Sequence, residues 1–269
     1  MKSQEVIYRA TEIIIKHNLQ RYLSAFAEYL VKNPPQLGHG FAHAIDVAIA
    51  SYDLAILNRF EHPEYLFIGG LFHDIYRPSL GEAAQEDQTP GADISKQILQ
   101  DLNAPQELID YIYHALKTHD EWRKESQAPV FDLLLSIGDK IAYDARNGYA
   151  YTWSSTKLVK SLGKSMPYNT HQEAMRYFVV YQQRAWEIFT KFDKQIIGMN
   201  RAVESYLKAY QLYGDAIRFD PGNLQYWNYV VTQAKLCHEY ECAIIRGLIN
   251  EEGKLKLIMA DSVELEDLK

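Results

Sequence analysis

Tyr65-Leu66-Phe67-Ile68-Gly69-Gly70-Leu71-Phe72-His73-Asp74 is an apolar run that ends on an imidazole beside a carboxylate. Burying those two groups together is chemically expensive, because each loses its hydration. A divalent cation compensates for the loss. Neutral imidazole nitrogen and carboxylate oxygen are ordinary ligands for first-row divalent metals, and the cation removes the desolvation penalty of the anion. A polar pair that merely ends a helix is the alternative reading.

Two further positions belong with this pair. His43 lies upstream in Gly38-His39-Gly40-Phe41-Ala42-His43-Ala44-Ile45-Asp46-Val47, and Asp139 lies downstream in Leu133-Leu134-Leu135-Ser136-Ile137-Gly138-Asp139-Lys140. Each sits inside an apolar helical pattern. One histidine on an apolar face is most often a satisfied core residue, but the order His, His-Asp, Asp is harder to dismiss. With these residues in this order, the sequence resembles the HD-domain superfamily of metal-dependent phosphohydrolases. The resemblance spans roughly residues 36 to 150. It implies an all-α, HD-like helical bundle in which His43, His73, Asp74 and Asp139 hold one divalent cation. Position 46 departs from the pattern: relatives often carry arginine before the valine, where this chain has Asp46, so no phosphate contact is carried over to it.

A chain of 269 residues, 47% of them hydrophobic, can bury one large core or two closely packed ones. Its formal net charge of −7 argues against general affinity for nucleic-acid backbones, which call for a concentrated basic surface. Cys237 and Cys242 are the only cysteines, too few for a disulfide framework and badly spaced for pairing within a helix. That usage fits a reducing cytoplasm. The start, Met1-Lys2-Ser3-Gln4-Glu5, leads into an amphipathic segment rather than a signal-peptide core, and no run of about eighteen apolar residues occurs. A soluble, cytoplasmic protein without membrane association is expected.

Apolar residues recur at helical spacing from Gln4 to Lys32, as one long helix or two in series, until Asn33-Pro34-Pro35 ends the pattern. The next helix is expected from Phe41 to Phe60, with His39 and His43 on one face if it starts early; His43 is the better ligand and His39 a structural or supporting group. A short helix after His62-Pro63 delivers His73 and Asp74. The polar run Gly81 to Gly91 reads as a loop or irregular helix beside the metal pair, a lid with Glu82, Glu86 and Asp87 available to assist a water, or a solvated acidic loop. Arg77 is the nearest cation for a substrate phosphate, since its planar fork matches phosphate oxygens; a surface ion pair is the competing view. Gln88 stands where relatives with two metals tend to have a further histidine.

Helices are also expected over Ala92 to Leu102, Pro105 to Trp122 and Val130 to Ala145. His119 resembles the family's additional histidine, as a leaving-group contact or a ligand of a second metal, whereas His114 reads as packing. Asn147 to Trp153 is an aromatic turn, a pocket wall or core. The remaining chain is helical in period and carries no second catalytic motif. Three regions are expected: a helical segment over 1–35, an HD-like core over 36–153 and a C-terminal helical extension over 154–269, which completes the pocket or forms a homodimer interface.

Together these features point to a metal-dependent phosphohydrolase. The expected substrate is a nucleotide or another small phosphate ester or anhydride. Asp74, Arg77, Glu82 and His119 are the catalytic candidates, and the cation is Mn, Fe, Co, Ni, Zn or Mg. Two readings compete with this one. A di-iron oxygenase would require more ligands than can be assigned, and a metal-binding sensor or interaction protein would keep the ligands without turnover.

Overall fold

The computed structural model describes residues 3–35, 39–76, 89–118, 129–145, 196–198 and 238–249. These residues form eight helices and no strand, so the architecture is all-α. The first two are α1 (Ser3–His17) and α2 (Gln20–Lys32), the two-in-series form of the N-terminal pattern. Each buries a single stripe: Val6, Ala10, Ile13 and Ile14 on α1, and Tyr22, Leu23, Phe26, Ala27 and Leu30 on α2. The break falls at Asn18, whose φ of 55° is left-handed; Leu19 N–H then closes back onto the Ile14 carbonyl at 2.9 Å.

Helix α3 (Phe41–Leu57) is of another kind. Thirteen of its 17 residues are buried, which leaves only Ala50, Asp53, Ile56 and Leu57 with partial exposure, so it runs through the middle of the bundle. It packs most extensively against α4 (Pro63–Phe72) and α7 (Val130–Ala145). Pro63 occupies the first turn of α4, where its missing N–H leaves no bond unmade. Every residue of α4 from Tyr65 to Phe72 is buried.

Glycine makes the two central crossings close. A Cβ on Gly70 would stand 2.5 Å from Ala48 Cα, and one on Gly138 would stand 2.9 Å from Ser51 Cα. Neither neighbour is a side chain that can swing aside. The backbones of α4 and α7 therefore lie directly on α3, which brings the start of α3, the end of α4 and the middle of α7 within reach of one point.

Helices α5 (Thr89–Asp101) and α6 (Gln106–Lys117) form a pair, and α6 also touches α4 and α7. The expected helix to Trp122 is described only to Lys117, where Thr118 N–H and hydroxyl both donate to the His114 carbonyl, at 3.0 and 2.8 Å. A last helix, α8, covers 238–248 and buries Ile244 and Leu248. None of the described helices is long and apolar enough to cross a membrane.

Candidate metal centre

His43 comes from the first turn of α3, His73 caps the C-terminal end of α4, Asp74 follows it in the turn, and Asp139 projects from the middle of α7. The three-helix crossing brings them together, with relative exposures of 2, 3, 6 and 4%. His43 Nε2 and His73 Nε2 are 3.1 Å apart. Asp74 Oδ2 is 3.5 Å from the first nitrogen and 3.2 Å from the second; Asp139 Oδ1 is 3.5 and 3.7 Å from them.

These spacings fit a shared cation. Ligand atoms about 2.1 Å from one ion lie about 3.0 Å apart at right angles and about 3.4 Å apart at tetrahedral angles. The tautomer fits too. His73 Nδ1 lies 2.7 Å from the Gly70 carbonyl, which can only accept, so Nδ1 carries the hydrogen and the lone pair of Nε2 faces the cluster. Charge supplies the third test: two neutral imidazoles and two carboxylates buried together sum to a charge that one divalent cation balances.

Protonation is another relief, and it divides the histidines. At His43 burial dominates and lowers the imidazole pKa, despite the nearby carboxylates. At His73 burial also pulls downward, but Asp74 and Asp139 outweigh it and the net direction is upward. The carboxylates thus draw positive charge to one point that the fold has dried.

His39, just ahead of α3, has the supporting position. Its Nδ1 is 2.6 Å from Asp74 Oδ2, too short for two ligands on one ion and right for a hydrogen bond to a ligand's carboxylate. His39, His43 and Asp74 form a second buried grouping of donor atoms, but it shares His43 with the first. The other grouping is His43, His73 and Asp139, so the two meet at His43.

Asp46 is buried one turn beyond His43 and accepts a 2.8 Å bond from the Tyr240 hydroxyl. Glu241 Oε2 accepts from Ala42 N–H at 3.1 Å. Nothing in the sequence around 240 signals these contacts, since neither residue belongs to a motif. A further missed pair is His114 and Asp132. Read as packing, His114 is instead 54% exposed and places Nδ1 2.9 Å from Asp132 Oδ2, which also receives the Thr118 hydroxyl at 3.1 Å. Arg77, Glu82, Glu86, Asp87, Gln88 and His119 lie outside the described residues, as does the aromatic turn over 147–153.

The family model described as the HD domain matches residues 40–144, from the glycine before α3 almost to the end of α7. Over this stretch the chain is similar to the HD domain. HD domains constitute a superfamily of metal-dependent hydrolases, and the buried histidine and aspartate groups found here could hold such a metal. Searches of curated proteins and of solved structures find no match to the chain.

Proposed function

We propose that this protein hydrolyses a nucleotide or another small phosphate ester or anhydride, using one divalent cation held by His43, His73, Asp74 and Asp139. The observation that carries the reading is the convergence of two imidazole Nε2 atoms and two carboxylate oxygens within 3.1 to 3.7 Å at a buried point. When bound, the cation lowers the pKa of a water and neutralises charge developing on phosphoryl oxygens.

The protein's own groups set the stage for that chemistry. The Gly70 carbonyl holds the His73 ring in the tautomer that presents Nε2. His39 fixes the Asp74 carboxylate, leaving Asp74 able to orient a water by accepting its hydrogen. Burial among α3, α4 and α7 limits water to what the site admits and strengthens each electrostatic contact. In this reading Arg77 binds substrate phosphate, Glu82 assists the water, and His119 meets the leaving group.

Phosphate release over a panel of nucleotides and phosphate esters, with each of Mn, Fe, Co, Ni, Zn and Mg, tests the activity. Asp74→Asn keeps the shape but forfeits the charge, so it should fold while losing metal affinity by about 100-fold or more, above the usual effect of changing a ligand's outer neighbour. Arg77→Ala, Glu82→Gln and His119→Ala should retain metal and reduce turnover. An Asp74→Asn protein with wild-type metal content and turnover would place the chemistry elsewhere.

A further inference from the structure

The HD match ends at residue 144, yet two side chains of α8 reach back to the helix that carries His43. Ala42 is the second residue of α3, so its N–H is one of the first-turn donors that the helix itself cannot satisfy. The N-cap, Gly40, makes no side-chain cap. Glu241 supplies the acceptor instead, through the space that glycine leaves: a Cβ on Gly40 would stand 2.5 Å from Glu241 Oε1. Its carboxylate also lies at the positive end of the helix dipole. On the other side of His43, the Tyr240 hydroxyl holds Asp46. The two contacts thus bracket His43 at positions 42 and 46.

Docking α8 does not require them. Ile244 and Leu248 are buried, and Gly247 lies against Ile7 of α1, so the apolar face already holds the helix to the bundle. Bringing a carboxylate and a phenol to the start of α3 has another consequence: it fixes the turn from which His43 projects. We propose that Tyr240 and Glu241 are positioning residues of the metal centre, which brings these two residues of α8 into its support although they lie outside the HD match. The inference rests on the metal reading above, and concerns which parts of the chain build that centre.

Cobalt(II) titrated into the full chain tests both, because its visible absorption reports ligand geometry independently of turnover. Glu241→Ala should lower cobalt affinity about tenfold or more, the usual consequence of removing a partner behind a ligand. Glu241→Gln, whose amide oxygen accepts the same N–H, should restore it. Tyr240→Phe should alter the absorption and weaken binding. Gly247→Ala presses on Ile7 instead of α3, so it should lower the melting temperature of the metal-free chain while leaving cobalt affinity unchanged. Wild-type affinity and spectrum in both Glu241→Ala and Tyr240→Phe would overturn the proposal, as would an equal affinity loss in Gly247→Ala. A wild-type chain that binds no cobalt would overturn the metal reading and this inference together.

Discussion

At the scale of single residues, buried charge is resolved in two ways in this molecule. Around His43 and His73 the carboxylates converge with imidazole nitrogens and call for a cation. Asp132, at the start of α7, is 5% exposed and relies on His114 and the Thr118 hydroxyl. Burial raises its pKa above the ordinary aspartate value, even though His114 and Thr118 pull the other way. The folded state therefore binds this proton more tightly than the unfolded chain does. Its contribution to stability is fully present below the unfolded pKa and is lost as pH rises through the folded one. Asp132→Asn stays neutral throughout, and its amide oxygen can still accept from His114. Its melting temperature relative to wild type should rise over the pH window that opens at the ordinary aspartate value of about 4. A constant difference across that window would mean that the carboxylate titrates alike in both states. This pair was not legible in the sequence, because a histidine and an aspartate eighteen positions apart on different helices carry no shared pattern. The four ligand candidates were legible, since each is a costly residue set in an apolar run.

At the scale of elements, the hydrophobic pattern located the helices, and Val130–Ala145 has the bounds its pattern implies. Periodicity could not reveal how closely the helices approach. Gly69 and Gly70 look equivalent in the sequence, but they face different neighbours. A Cβ at Gly69 would come 3.1 Å from Phe131 Cζ, the tip of a side chain, whereas one at Gly70 would come 2.5 Å from the backbone of Ala48. Gly70 also offers the carbonyl that orients His73. Gly70→Ala should therefore cost about 3 kcal/mol, the upper part of the range for overpacked cores, and should weaken metal binding as α4 is pushed from α3. Gly69→Ala should cost about 1 kcal/mol or less, with added helix propensity offsetting part of the strain. Denaturant unfolding of the two metal-free variants separates them, and equal losses would show that the α3–α4 crossing yields more readily than its backbone contact implies.

At the scale of the whole molecule, the centre joins distant parts of the chain. The candidate ligands come from α3, from the end of α4 and its following turn, and from α7, and α8 returns to the start of α3, so an ion bound there would tie together segments from His43 to Asp139. The unfolded chain offers no such preformed cluster. A ligand bound only by the native state stabilises it by mass action, by about 2.7 kcal/mol when free metal stands at a hundred times Kd. For a chain of this size each kilocalorie moves the melting temperature by about 2 to 4 °C. Chelation should therefore lower the melting temperature by about 5 to 10 °C, and restoring the cation should reverse the shift. The same chelator should have almost no effect on Asp139→Ala. That variant keeps both imidazoles but loses the carboxylate oxygen 3.5 Å from His43 Nε2, so its metal affinity is already forfeited. If wild type and Asp139→Ala shift equally, the stabilising ion sits somewhere other than the crossing of α3, α4 and α7. If chelation strips the metal and the wild-type melting temperature stays fixed, the buried carboxylates have been neutralised by protons, and the cation does not stabilise the fold.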